Sequence, residues 1–397
     1  MLIFLSEERK MKKILALVLA LIMVSVCFVA CGDKSDEKVL KIGVFEPASG
    51  PNGAGGKQES LGIKYANSVC PTVDIDGVTY KVELVEVDNQ SADDKAVTAA
   101  SELVNKGVSV VVGSYGSSVS IAASPVFKEA GIPAIGITCT NTQVTEGNKH
   151  YFRICFLDPF QGSVLAKYAW DQGIRTAYTL AELGNAYDLG LSSSFKTAFE
   201  ALGGKVISDN FPSNQADFTS YITNAKNGGA EVIFAPTSLS YAQLIVEAAA
   251  SQKVGIPLYA GDTWDSNVIL EAAKGKDVTI NITTFYQEGG NKEFDEGFKK
   301  WLNADKTNLT NNGGNDIVSA VSAMGYDSYF VALEAAKAAK STNPAKIMEA
   351  LWGVEYKGVT GDIKFDSVNG DADRKVAYIK AADTTTGAWV FVKEQGV

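Results

Sequence analysis

Short apolar runs rich in β-branched residues alternate with longer amphipathic stretches along most of this chain. The runs LKIGVF, YKVELVEVD, SVVVGS, PAIGIT, YFRICF, RTAYTLA, KVISDNF, AEVIFAP, IPLYAGD and VTINITTF predict strands, with helical patterns between them. Alternation of this kind predicts doubly wound, parallel α/β sheets. One stretch shows the unit whole. Val108 to Val112 is an apolar run stopped by Gly113, a helical pattern opens near Ser117, and a second buried strand after Ile132-Pro133 ends in Thr138, Cys139 and Thr140.

Parallel strands are covered on both faces, so their runs are apolar throughout, and ligands bind beyond their carboxyl ends. Here both strand ends carry hydroxyls. Ser117 and Ser118 stand where a helix begins, so their side chains and the free N–H groups of the first turn can receive a carboxylate. A plain helix cap at Ser117 explains the same residue, and this unit alone leaves the two readings open.

Other local signals are simpler. SADDKAVTAASELVNKG reads as a helix with Ser91 as candidate cap and Gly107 as stop, and DLGLSSSFKTAFEALGGK as another ending at Gly203-Gly204. VDIDGVTYKVEL turns through Asp76-Gly77, and GDIKFDSVNGDADRKVAYIK reads as a hairpin through Asn369-Gly370. Asp74 and Asp76 lack the downstream Glu of a calcium loop, and Asp366, Asp371 and Asp373 suit a turn better than a metal.

At the other end of the chain, Met11-Lys12-Lys13 precedes an apolar run from Ile14 to Ala30, followed by Cys31, Gly32 and the charged stretch DKSDEK. A basic head, an apolar middle and a small residue before a polar stretch make a secretory signal. Residues 1–30 are therefore expected to be a signal peptide with Met11 as its true start, an uncleaved anchor helix being the alternative. Residues 31–38 read as a tether.

At 397 residues the chain exceeds what one core usually holds, so two lobes are expected. Its net charge of −10, more negative still without the first thirty residues, argues against a nucleic-acid partner. Of five cysteines, Cys27 and Cys31 belong to the signal region. The odd remainder, Cys70, Cys139 and Cys155, rules out a disulfide scaffold. His150 is the only histidine, and neither HExxH nor GxSxG occurs. The glycines at 50, 53, 55 and 56 match neither GxGxxG nor GxxxxGK[ST]. Nothing points to catalysis, a metal or a cofactor.

Seven segments occur in an order that resembles the leucine/isoleucine/valine-binding proteins of bacterial ABC importers: IGVFEPASGPNGAGG, VVVGSYGSSVS, the strand with TCTN, AYDLG, AEVIFAPTSL, LYAGDTWDSN and AMGYDSYFVALEAA. The resemblance covers Val39 to Val397, and FVAC before Gly32 resembles a lipobox with Phe28 where Leu is usual. It implies a type I periplasmic binding protein, with two α/β lobes joined by three crossovers and the ligand in the cleft between them. Lobe 1 would be 39–157 with 285–357, and lobe 2 158–284 with 358–397.

Carried over residue by residue, Ser117 and Thr140 match positions that hold a ligand carboxylate, and the Thr138 backbone one that contacts its ammonium group. Tyr187 matches an aromatic that closes over the ligand. The acidic partner of the ammonium comes from GDTWDS, where Asp262 and Asp265 both stay open and Asp262 is preferred because it follows the strand end. Tyr326 matches a side-chain pocket position, and Tyr115 and Phe45 join it by location. Thr237 and Ser238 stand where some relatives have aromatics, and Thr263 where Gly is common, which argues against a plain aliphatic pocket. The expected function is an extracytoplasmic receptor, lipidated at Cys31 and so held at the membrane, that delivers a small amino acid, branched-chain or related, to a permease and its ATPase. A ligand sensor, or a receptor for aromatic carboxylates or urea-like amides, is the alternative.

Overall fold

A computed structural model describes residues 38–397. The signal segment, the lipobox with Cys31 and nearly all of the tether lie outside the described residues. All ten strands expected from the alternation form, in two sheets. The first contains β1 (Val39–Glu46), β2 (Thr72–Ile75), β3 (Val78–Asp88), β4 (Val110–Val112), β5 (Ala134–Gly136) and β6 (Tyr151–Arg153), in the order β2-β3-β1-β4-β5-β6. Parallel pairing runs from β1 through β4 and β5 to β6, with Val44 opposite Val112 and Ile135 opposite Phe152.

The second sheet takes β7 (Thr176–Glu182), β8 (Lys205–Phe211), β9 (Val232–Phe234), β10 (Leu258–Ala260) and β11 (Ile280–Thr284), all parallel. Two C-terminal strands, β14 (Ala377–Asp383) and β15 (Ala388–Gln395), extend it antiparallel beside β11. Its order is β15-β14-β11-β10-β9-β7-β8.

The chain passes between these sheets three times. After β6 it enters the second sheet by way of α4 (Asp158–Asp171). After β11 it returns through α9 (Lys292–Ala304), α10 (Lys306–Asn311), α11 (Ala320–Ala339) and α12 (Pro344–Leu351). After a small hairpin of β12 (Glu355–Gly358) and β13 (Gly361–Lys364) it goes back to β14. Helix α11 lies directly on α1 (Gly53–Val69). A Cβ on Gly62 would meet the Ser322 carbonyl at 1.8 Å and one on Gly325 the Glu59 carbonyl at 2.3 Å, so these two glycines set how close the backbones come. The result is two doubly wound parallel-sheet lobes joined by three crossovers.

Two local expectations fail. Helix α2 (Asp93–Asn105) has Ala92 as its N-cap, and Ser91 takes a positive φ of 55° instead of capping it. The Asn369-Gly370 segment forms only isolated bridges, Phe365 with Ala372 and Asp371 with Arg153, and no hairpin of two strands. Asp366 accepts from the backbone N–H groups of Val368 and Asn369, and Asp371 is drawn to Arg153 of β6 at 2.7 Å. A local Asx turn and a distant ion pair therefore override the hairpin signal. The Asp76-Gly77 turn does form, with both residues at positive φ between β2 and β3. Cys70, Cys139 and Cys155 are free thiols, the last two buried.

Candidate functional site

Helix α3 (Ser117–Ala130) starts just past the carboxyl end of β4, with Gly116 as N-cap and no side-chain cap. Ser117 is not a cap. Its Oγ accepts from the Asn141 N–H at 3.2 Å, while Ser118 Oγ accepts at 2.8 Å from the N–H of Ala186, the first residue of α5 (Ala186–Ala201). Small side chains thus close the loop onto its neighbours, and the first-turn N–H groups of α3, which have no partner within the helix, face outward from the strand end.

The second lobe supplies the opposite charge. After β10 the chain makes a turn of 3-10 helix, Asp262–Trp264, with Asp262 buried. Its Oδ1 accepts from Gln161 Nε2 at 2.8 Å and from the Tyr187 hydroxyl at 3.1 Å, and its own N–H donates to Gln161 Oε1. Burial raises its carboxyl to about 7, against the pull of these hydrogen bonds. Among the described residues no Lys or Arg pairs with it. Asp265, three residues on, is already neutralised: Lys380 Nζ lies 2.9 Å from its Oδ2 and Thr284 donates to the same oxygen.

Further carboxyls gather behind the cleft. Glu59 accepts from the Thr138 hydroxyl at 2.8 Å and is pushed up to about 8 by burial. Glu46 accepts from the Tyr115 N–H at 2.8 Å, and burial together with the charge of Glu59 holds it well above the usual carboxylate range. Asp158, at the start of α4, is likewise raised to about 8 by burial. The buried hydroxyl of Thr140 beside it is the strongest influence opposing that rise.

Between the lobes lies a cavity of about 90 Å³. Its walls include Asn52, Ser91, Tyr115, Ser117, Ser118, Glu182, Asn185, Tyr187, Ser238 and Thr263, with Pro47, Pro51 and Val119 as the apolar patches. The lobes are bonded to each other around it. The Tyr115 hydroxyl donates to the Thr263 carbonyl at 2.6 Å, and Asn141 Nδ2 to the Ala186 carbonyl at 2.7 Å. Asn52 donates to Ser238 Oγ and accepts from the N–H of Leu239, so a side chain of the first lobe caps α7 (Leu239–Gln252) of the second. Tyr115 reaches that far because Gly55 leaves room: a Cβ there would lie 2.3 Å from its ring.

The structure brings Ser117, Tyr115 and Tyr187 into one cavity wall; Asp262 is buried behind Tyr187, and Thr138 and Thr140 sit on the loop next to Ser117, all three outside the wall itself. It does not bring Tyr326 or Phe45. Tyr326 stacks on Tyr65 at 5.6 Å and packs against Phe294 and Phe330, outside the cavity wall. Phe45 meets Phe127 edge-on in the core of the first lobe. Sequence reading missed Gln161, the Glu46–Glu59 pair and the Asn52 clasp. It also missed Arg153, whose guanidinium donates to the carbonyls of Cys139 and Asn141, to the Thr145 hydroxyl and to Asp371. That one group fixes the backbone of the loop carrying Thr138 and Thr140.

Two parallel sheets whose carboxyl ends face a shared polar cavity define a two-lobed small-molecule receptor. The chain belongs to the periplasmic binding protein family, whose sequence model matches residues 39–386. It is 28% identical over 342 residues to Leu/Ile/Val-binding protein homolog 1 of Brucella melitensis, covering 85% of this chain and 89% of that one. Its structure is similar to a leucine-binding protein of Thermotoga maritima, with a TM-score of 0.79 and 28% identity over 90% of this chain and 99% of that one. A solute-binding protein of an ABC transporter from R. palustris, solved with benzoate, shares the fold at a TM-score of 0.76 and 18% identity, over 90% of this chain and 97% of the other. This chain is accordingly a binding protein and not an enzyme, of a family that works outside the cytoplasm. Among the described residues no helix is long and apolar enough to cross a membrane.

Proposed function

We propose that this protein captures a small amino acid, branched-chain or related, outside the cell membrane and delivers it to an ABC permease driven by its ATPase, held near that permease by lipid on Cys31. The observation that carries the reading is Asp262. It is a buried carboxylate with only neutral partners, bonded to the cavity-lining Tyr187, in a cleft whose other wall is a helix N-terminus. An amino acid offers the complement, a carboxylate for the N–H groups of α3 near Ser117 and Thr140 and an ammonium group for Asp262 and the Thr138 carbonyl.

In this reading the lobes, 39–157 with 285–357 and 158–284 with 358–397, close on the ligand because only the closed arrangement lets both reach it. Asp265, spent on Lys380, has a structural role. The leucine-binding relative supports the amino-acid class.

A second reading rests on the tyrosine rings of the cavity wall, which suit a flat aromatic acid such as the benzoate of the R. palustris protein. The test is thermal unfolding of the purified protein with each amino acid, aromatic acids and short amides, since a ligand of the folded state raises the melting temperature. Shifts confined to amino acids support the first reading, and shifts confined to aromatic acids the second. No shift after unfolding and refolding to strip bound ligand would end both.

A further inference from the structure

The part of the cavity away from Asp262 is unsuited to an aliphatic side chain. No Leu, Ile, Met or Phe lines it. Burial of a branched side chain is favourable only against apolar surface, at roughly 25 cal/mol per Å²; Pro47, Pro51, Val119 and the tyrosine rings supply only part of the lining, so a branched chain would also cover polar groups without satisfying them.

The polar groups at this end are unequal in what they have left to offer. The N–H groups of Leu239 and Ser240, at the start of α7, are already given to Asn52 Oδ1 and the Pro51 carbonyl. Asn52 spends its own N–H on Ser91 Oγ and its amide on Ser238 Oγ. The hydroxyls of Ser118 and Ser238 each accept one bond and keep a proton, and the charged group at this end is the Glu182 carboxylate at the end of β7. Glu182 accepts from the Tyr241 hydroxyl and Asn185 Nδ2, both neutral, and among the described residues no Lys or Arg pairs with it. A carboxylate has about four acceptor positions, so two neutral donors leave room for more.

Resting on the amino-acid reading above, we propose that the side chain of the bound amino acid ends in a nitrogen donor, a carboxamide, ammonium or guanidinium group, received by Glu182 and Ser238, and that branched aliphatic amino acids are poor ligands. The same chain then takes the backbone of an amino acid at α3 and Asp262 and sorts its side chain by acceptors instead of by apolar volume. The polar residue at Ser238, where some relatives carry an aromatic, fits this division.

The test is calorimetric binding of glutamine, asparagine, lysine, ornithine, arginine, alanine, leucine, isoleucine, valine and benzoate to the full chain and to its Glu182→Gln variant, whose amide keeps the volume but loses the charge. The expected result is at least tenfold tighter binding of one nitrogen-tipped amino acid than of leucine, isoleucine or valine. In Glu182→Gln that preference should shrink severalfold, most for a cationic ligand, with circular dichroism unchanged. Binding of leucine, isoleucine or valine as tight as any nitrogen-tipped amino acid overturns this proposal and leaves the amino-acid reading standing. So does an unchanged preference in Glu182→Gln. Binding of benzoate with no amino acid bound overturns both.

Discussion

Two aspartates flank the same buried tryptophan, and their surroundings differ in one respect. Asp265 has Lys380 at 2.9 Å and the Thr284 hydroxyl beside it. Asp262 has an amide and a phenol, and no cation. Both are buried, so desolvation alone does not separate them. The difference is that the chain completes one charge pair internally and gives the other only neutral partners, which in the proposed reading a ligand's ammonium group completes. An unpaired buried carboxylate is costly to keep, and that cost becomes binding energy when a cation arrives.

The largest test of the contrast removes the internal cation. Lys380→Met strands Asp265 in the interior and should cost about 3–5 kcal/mol of stability. Denaturant unfolding measures it, and adding Asp265→Asn should restore much of the loss. The corresponding change at the other aspartate acts on binding. Asp262→Asn should weaken amino-acid binding at least ~100-fold, equivalent to about 2.7 kcal/mol, without loss of melting temperature. Affinity unchanged by that variant would remove Asp262 from the site.

Protonation sharpens the same comparison. Asp262 must be ionised to hold an ammonium group, and its carboxyl sits at about 7. Affinity should therefore fall by roughly tenfold per pH unit below that point, measured by titration calorimetry from pH 8 to 5. Stability without ligand should run the other way. Burial raises Asp262, Glu59 and Asp158 above their unfolded values, so their contribution is complete at low pH, falls as pH rises above the ordinary carboxylate range and is fully lost once pH passes about 7 to 8. The smallest effect expected is from Asn52→Ala, which removes the cap of α7 and a bond between the lobes. It should cost about 1 kcal/mol and lower affinity severalfold, read by thermal unfolding and calorimetry.

Most of this architecture is legible in the sequence because parallel strands announce themselves locally. Runs such as VVV at 110–112 and VIF at 232–234 are β-branched and apolar, and glycine, proline or charge bounds them. The C-terminal strands were harder to read. β15 reads AWVFVKEQ, with Val390, Phe391 and Val392 all exposed, so its pattern names no buried face. At the site, Ser117, Tyr187 and Asp262 follow strand ends or open helices, where position alone marks them. Asn52 and Ser238 are 186 residues apart, and Gln161 and Asp262 are 101 apart. Pairs like these are made by the folded lobes and leave no local pattern. Tyr326 shows the reverse limit: an aromatic on a buried helix looks alike in sequence whether it faces a ligand or, as here, other aromatic rings.

The guanidinium of Arg153 separates two properties that the titrating carboxyls would otherwise mix. Several acids around the cleft change charge between mild acidity and mild alkalinity, yet the backbone carrying Thr138 and Thr140 hangs from a group that stays protonated throughout that range. In the proposed reading, acidity can therefore retune the electrostatic field of the cleft while the loop next to Ser117 keeps its dimensions. In that reading a drop in pH loosens the hold on a solute without reshaping the loop that bounds the cleft.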